Sequence, residues 1–354
     1  MHDFTWQMPA PMGGTRVVFG AGTARRLGDA LDALGIERAL ILCSERRAPL
    51  ADALAQTTGS NRIAVSPVSA SGMPRTAYDL LLADQERTGA EAVVALGGGS
   101  PIGLGKAWAA ETRRPLVAIV TTYSGSEMAA NWYIGDGPDR VGGSTDDALP
   151  KVAIYDPDLT LALPPRVSAA SGMNAMAHAV ETLYGPDTNP VFCTMAEDAV
   201  RRLCDSLPRI VADPENVEAR HEALYAAWVA AAFRATSGIE HVLAQRVRSR
   251  FTLDHAHCHA ISVPYAIAFN TEAASDAAAR IARALGAGAA GPALYDLNVR
   301  LGLETGFGAI GMPEAGIGTI ADTISKMAFP NPRALDRDGI RNLVAAAWAG
   351  DPIA

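Results

Sequence analysis

Two short runs constrain this chain more than any other feature: Ala92-Val93-Val94-Ala95-Leu96 and Leu116-Val117-Ala118-Ile119-Val120. Neither alternates with polar residues. A strand that is apolar at every position must be covered on both faces, the condition of a parallel sheet flanked by helices. Related runs precede them. Arg16-Val17-Val18-Phe19 reads as a strand ended by Gly20-Ala21-Gly22, Arg38 to Cys43 as a second, and Arg62-Ile63-Ala64-Val65 as a weaker third. Helical patterns fall between, over 23–34, 78–88 and 103–111. This alternation predicts a doubly wound α/β domain that binds ligands outside the C-terminal ends of its strands.

The pattern changes after Val152-Ala153-Ile154-Tyr155-Asp156 and Leu163-Pro164-Pro165. From Val167 onward the chain is rich in Ala and Leu at helical spacing, with few β-branched runs. The expected organisation is a nucleotide-binding α/β domain over 1–160 and a helical substrate domain over 161–354. The 354 residues are 49% hydrophobic and 19% charged, which supplies a sizeable core and argues against disorder. The net charge of -8, with no basic block, argues against nucleic acid as a partner. No apolar run has the length of a membrane span, and the N-terminus lacks the pattern of a signal peptide. The 4 cysteines are scattered without a CxxC, so a reduced, cytoplasmic protein is the simplest expectation.

Gly97-Gly98-Gly99-Ser100 ends one strand and opens a helix. Glycines there let a ligand approach the backbone, and free N–H groups at the helix start favour an anion such as a pyrophosphate. The plainer reading is a tight turn, and the spacing is not GxGxxG. Thr121-Thr122-Tyr123-Ser124-Gly125-Ser126 follows the next strand and offers hydroxyls at the same sheet edge; a polar loop with a helix cap is the plainer alternative. Ser44-Glu45-Arg46-Arg47 holds both an acid, suited to a ribose hydroxyl, and arginines, suited to a 2′-phosphate, so NADH and NADPH both stay open.

Ser171 to Glu181 reads as the start of a helix, with Asn174 and His178 four apart on one face. That pair is either a ligand pair or a capping Asn beside a hydrogen-bonded His. A second cluster runs Glu240-His241, Gln245, then Asp254-His255-Ala256-His257-Cys258-His259, and could bind a divalent metal together with His178. For His257 and His259 surface positions are expected, because alternate residues on a helix point apart.

Together these segments resemble the iron-containing alcohol dehydrogenase family and, within it, the maleylacetate reductase branch. The likeness is carried by Phe4-Thr5, Arg16 to Gly22, Gly97 to Ser100 with Gly103-Leu104-Gly105-Lys106-Ala107, Thr121 to Met128, Ile154 to Thr160, Ser171 to Glu181, and Ala347-Trp348-Ala349-Gly350. It implies a Rossmann-like domain joined to an all-α domain in a dehydroquinate synthase-like architecture, an NAD(P)H cofactor, a small anionic substrate and a homodimer. The implied reference reaction reduces maleylacetate to 3-oxoadipate. Gly97, Gly98, Gly99, Ser100, Thr121, Thr122 and Ser126 become candidate cofactor-binding residues. The metal-dependent members hold their ion with one Asp and three His. Those positions match Asn174, His178, His241 and His255, and the Asn implies a site without metal whose histidines face the substrate. Gln245 stands where the family usually has a further His near the reacting carbon, and Arg248 and Ser249 replace its usual glycines. Asp254 replaces the usual Pro. These changes fall where the resemblance places the substrate. They leave open a diverged substrate, a redox-neutral lyase, cyclase or isomerase on the same scaffold, or a cofactor-binding protein without turnover.

Overall fold

The computed structural model describes residues 4–7 (as backbone), 14–68, 74–135 and 140–353. The chain divides into two compact units, residues 1–163 and 164–354.

Among the described residues the first unit has nine strands: β1 (Phe4–Gln7), β2 (Arg16–Phe19), β3 (Ala39–Cys43), β4 (Ile63–Pro67), β5 (Ala92–Gly97), β6 (Leu116–Val120), β7 (Asn131–Ile134), β8 (Val141–Ser144) and β9 (Val152–Tyr155). Helices α1 (Leu27–Ala33), α2 (Ala48–Thr58), α3 (Arg75–Thr88) and α4 (Gly99–Thr112) connect them. The main sheet runs β1-β2-β9-β6-β5-β3-β4. Every pairing in it is parallel except the one between β1 and β2. β3, β5 and β6 are buried along their whole length, as uniformly apolar strands require. Each large aliphatic residue buried here contributes about 1.5–3 kcal/mol. Ile41, Val94, Leu96, Val117 and Ile119 form one face of the core with Leu31 and Leu54 from the helices. α4 comes so close to the sheet that a Cβ at Gly105 would lie 2.8 Å from Leu116 of β6 and 3.2 Å from Ala95 of β5.

β4 and β5 flank β3 on opposite sides, so the strand order reverses between β3 and β5. A doubly wound sheet binds ligands at such a reversal. The loops there are Ser44–Arg47 and Gly97–Gly99. Two features differ from the sequence reading. α4 starts at Gly99 rather than 103, because Pro101 sits in the first turn, where no intrahelical N–H partner is needed. β7 and β8 form a separate antiparallel pair that Gly142 and Gly143 concealed.

The second unit is helical among the described residues: α5 (Pro165–Thr182), α6 (Pro190–Ala212), α7 (Val217–Ala232), α8 (Ile239–Phe251), α9 (His255–Asn270), α10 (Ser275–Ala284), α11 (Ala290–Arg300), α12 (Gly316–Ile324) and α13 (Arg337–Ala349). No helix among them is long and apolar enough to cross a membrane. α5 is buried from Ser168 through Thr182, the mark of a central helix. It packs on α6, α7 and α9. Ser171 is not a helix start. Pro165 opens the helix, its fixed φ suiting the first helical position, so Asn174 lies well inside rather than near the N-terminus.

Candidate active site

α5 presents Asn174, His178 and Glu181 at spacings that share one face. All three are buried. Opposite them, the first turn of α8 brings Glu240 and His241, also buried. α9 supplies His255 and His259, four apart. Its N-cap is Asp254, whose carboxylate accepts from the His257 backbone N–H at 3.0 Å and lies 2.8 Å from His257 Nδ1. The His257 bonds hold the Asp254 carboxyl down to about 2 against desolvation. Asp254 is thus a helix cap that fixes where α9 begins.

The rings form a row. His178 and His241 are 4.5 Å apart between centroids, His241 and His259 4.8 Å, and His259 and His255 4.6 Å. His259 therefore corrects the sequence expectation. It is 1% exposed, because the comparison that matters is with His255 one turn earlier and not with His257. Two carboxylates lie behind the row. His241 Nδ1 is 2.7 Å from Glu181 Oε2 and 2.8 Å from Glu240 Oε2. Glu240 Oε1 is 2.9 Å from His259 Nδ1. Glu181 Oε1 accepts from the Glu240 backbone N–H at 2.9 Å and from Tyr184 Oη at 3.2 Å. His241 Nε2 is 2.9 Å from His178 Nδ1.

These contacts set the charges. Burial opposes a charge on His241, but Glu240 and Glu181 overcome it and hold the imidazole up at about 10. Glu240, desolvated but beside His259 and His241, is held down at about 2. His178 is pushed well below its ordinary value by desolvation first, then by the charge on His241 and by Arg234. His255 is lowered too, by desolvation and then by His259 and Arg248. His255 itself is exposed. Gln245 is exposed one turn beyond His241 and is not hydrogen-bonded to any of the histidines in the described contacts.

Glu181, Glu240 and His259 were not among the predicted site residues. Glu181 lies three after His178 and Glu240 directly before His241, a spacing that gives no sign of burial. The donor atoms of Glu240, His241 and His259 lie within 4.8 Å of one another, close enough to hold a cation. They are engaged with each other instead, since both Nδ1 atoms face the same carboxylate.

The glycine loop lies in the first unit. Gly97 has φ 151°, a region that disfavours a side chain, and its Cβ would meet Pro101 at 2.8 Å. A Cβ on Gly98 would lie 2.7 and 2.8 Å from Thr122 side-chain atoms, whereas one on Gly99 would meet only Ser124 Oγ, at 3.8 Å. No side chain caps the N-terminus of α4; Pro101 has no N–H and the Ile102 N–H donates to Gly98 O at 3.2 Å, so the Gly99 and Ser100 N–H groups are the ones that suit an anion. The following loop is tied in by the Thr121 N–H, which donates to Gly97 O at 3.0 Å, and by Lys106 Nζ, which donates to Ser126 O at 2.8 Å.

Residues 14–157 match the iron-containing alcohol dehydrogenase family, and residues 168–348 match the Fe-containing alcohol dehydrogenase family, C-terminal. Maleylacetate reductase of Burkholderia cepacia is 42% identical over 352 residues, 99% of each chain. That of Sphingobium indicum is 39% identical over 95% of this chain and 96% of its own. Among solved structures, a putative alcohol dehydrogenase from Ralstonia eutropha JMP134 superposes with a TM-score of 0.92 at 36% identity, covering 100% of both chains. Maleylacetate reductase from Rhizobium sp. strain MTP-10005 gives 0.91 at 34%, covering 99% of both.

Proposed function

The chain belongs to the iron-containing alcohol dehydrogenase family, and from that premise we propose how its residues work. It is an NAD(P)-dependent oxidoreductase, a reductase of the maleylacetate type. We place the nucleotide on Gly97, Gly98, Gly99, Ser100, Thr121, Thr122 and Ser126, and a small anionic unsaturated or keto acid on His178, His241 and His255. The glycine cradle and the uncapped α4 N-terminus fit a pyrophosphate. When bound, the nicotinamide nucleotide supplies the hydride.

The observation that carries the reading is the 2.9 Å contact between His241 Nε2 and His178 Nδ1. A carboxylate only accepts, so the Nδ1 of His241, facing two of them, carries hydrogen. The charge stabilised by Glu240 and Glu181 puts hydrogen on Nε2 as well. That atom donates to His178 Nδ1, so neutral His178 carries its own hydrogen on Nε2. A neutral donor backed by a buried cation stabilises a developing oxyanion. It also delivers a proton: His178 releases its Nε2 hydrogen to the substrate and takes the His241 Nε2 hydrogen at Nδ1. Bulk solvent then reprotonates the pair.

We read this reaction as independent of metal. Position 174 holds a neutral amide where metal-dependent members have a carboxylate, and His241, protonated on both nitrogens, has no lone pair for a cation. A divalent ion would have to displace a proton from His241 and part it from Glu240 and Glu181, with a neutral amide at 174 in return, so the set favours the metal-free state. The reductase relatives, matched end to end, do not favour a redox-neutral lyase, cyclase or isomerase. We also read the protein as a homodimer, which light scattering tests.

The function test is NADH and NADPH depletion with maleylacetate, for the wild type and His178→Gln. Wild-type depletion that the variant loses, with nucleotide affinity retained, is expected. Equal turnover by the variant would place the proton donor elsewhere.

A further inference from the structure

We propose that Glu240 is a positioning residue for the reductase: its carboxylate clamps His241 and His259 together and holds Nδ1 of each ring toward itself, which leaves Nε2 of His241 for His178. The inference rests on the reductase reading for its kinetic consequence and on geometry for the clamp itself.

Glu240 is fully buried, in the first turn of α8. Its own backbone N–H is pinned by Glu181 Oε1 at 2.9 Å, so the residue cannot drift along the helix. Its two oxygens reach both rings, with Oε2 also 3.2 Å from His259 Nδ1. Oε2 is 2.8 Å from His241 Nδ1, and Oε1 is 2.9 Å from His259 Nδ1. Because an ionised carboxylate has no hydrogen to give, both rings must carry hydrogen on Nδ1. That single assignment leaves Nε2 as the working atom of each ring. The third ring packs against this pair, since His259 meets His255 edge-on at 4.6 Å and 82°. His178 is held in turn by His241. Glu181 faces the same His241 Nδ1 at 2.7 Å, but Glu240 is the carboxylate that joins His241 to His259, the role that outer partners play for ligating histidines.

Glutamine at 240 keeps the shape but has one acceptor and one donor end, so it satisfies one Nδ1–H and repels the other. The turnover test compares Glu240→Gln, His259→Gln and the double variant. For each, kcat and KM are measured with maleylacetate, and NAD(P)H affinity is the control for folding. The expected result is a kcat lower by about 10- to 100-fold, the usual cost of losing an outer-shell partner. KM and cofactor affinity should stay near wild type, and the double variant should be no worse than the poorer single one. An unchanged kcat in Glu240→Gln, or losses that multiply in the double variant, would overturn the clamp. A second readout does not depend on turnover: NMR of wild-type protein labelled with ring-15N histidine. Two rings, assigned through His241→Gln and His259→Gln, should show hydrogen on Nδ1 in strong hydrogen bonds. Hydrogen found only on Nε2 of His259 would overturn the clamp even if every Glu240 variant failed to fold. Conversely, a wild type that shows both Nδ1–H signals but oxidises no NAD(P)H would sink the reductase reading and leave the clamp standing.

Discussion

The sharpest test of the nucleotide site uses two neighbouring glycines that differ in what surrounds them. At Gly98, with φ -97°, the backbone is one any residue adopts, so conformation is not the obstacle. The obstacle is Thr122, whose side-chain atoms lie 2.7 and 2.8 Å from where a Cβ would stand. Gly98→Ala must push Thr122 aside and should destabilise the first unit by about 1–3 kcal/mol, the range for overpacking. Gly99→Ala meets nothing nearer than 3.8 Å within the protein and exchanges a helical Gly for the best helix former, so stability should hold or rise. A phosphate seated on the first turn of α4 would be displaced by the same methyl. Losing one hydrogen bond to a charged group costs about 1.5–3 kcal/mol, or about 10- to 150-fold in Kd. The assay is fluorescence titration of NADH and NADPH, paired with thermal melts. A Gly99→Ala variant with normal melting and unchanged affinity for both nucleotides would refute the placement. Loss of affinity in Gly98→Ala alone would show only that the loop had been distorted.

The buried imidazolium predicts a pH signature. His241 is raised from 6.5 to about 10, so its contribution to stability is complete below about pH 6.5 and is lost as pH rises through 10. Melting temperature should fall over that window in the wild type and fall less in Glu240→Gln; parallel curves would contradict the charge assignment. Gln245 lies one turn beyond His241, so Gln245→His should raise maleylacetate turnover, by up to the 10²–10⁴-fold typical of general acid–base help. No change there, with Arg248→Gly also silent, would remove the idea that this turn of α8 tunes the substrate. Asp156 accepts from the backbone N–H groups of Gly22 and Ala24 at 3.0 Å each and of Asp158 at 3.1 Å. Asp156→Ala should therefore cost about 2–4 kcal/mol in urea unfolding, since several buried donors lose their acceptor.

The sheet was legible because its strands are apolar at every position, a pattern that only burial on both faces explains. The same logic read the helical half from the loss of β-branched runs. It misplaced the start of α5, because Ser171 looks like a cap while Pro165 does the work six residues earlier. The histidine row was half visible. His178, His241 and His255 stood out by the resemblance, but His259 was judged against His257 when its true neighbour is His255. Glu181 and Glu240 were missed for a physical reason. A glutamate in the first or last turn of a helix usually meets solvent, and only the packing of α8 on α5 and α9 buries these two. Asp254 was read as a change where the substrate should lie, and its bonds to His257 show in addition that it is a cap.

The central claim is that a buried imidazolium, without a metal ion, serves a nicotinamide-dependent reduction. The most direct measurement follows NADH and NADPH oxidation with maleylacetate in protein whose metal content has been determined and which has been exposed to a strong chelator. The account predicts protein free of stoichiometric iron or zinc and slow but real nucleotide oxidation that the chelator leaves unchanged. Gln245→His should accelerate it, and Asn174→Asp should newly confer metal binding. About one ion per wild-type chain, with turnover lost to the chelator and restored by a divalent cation, would contradict it.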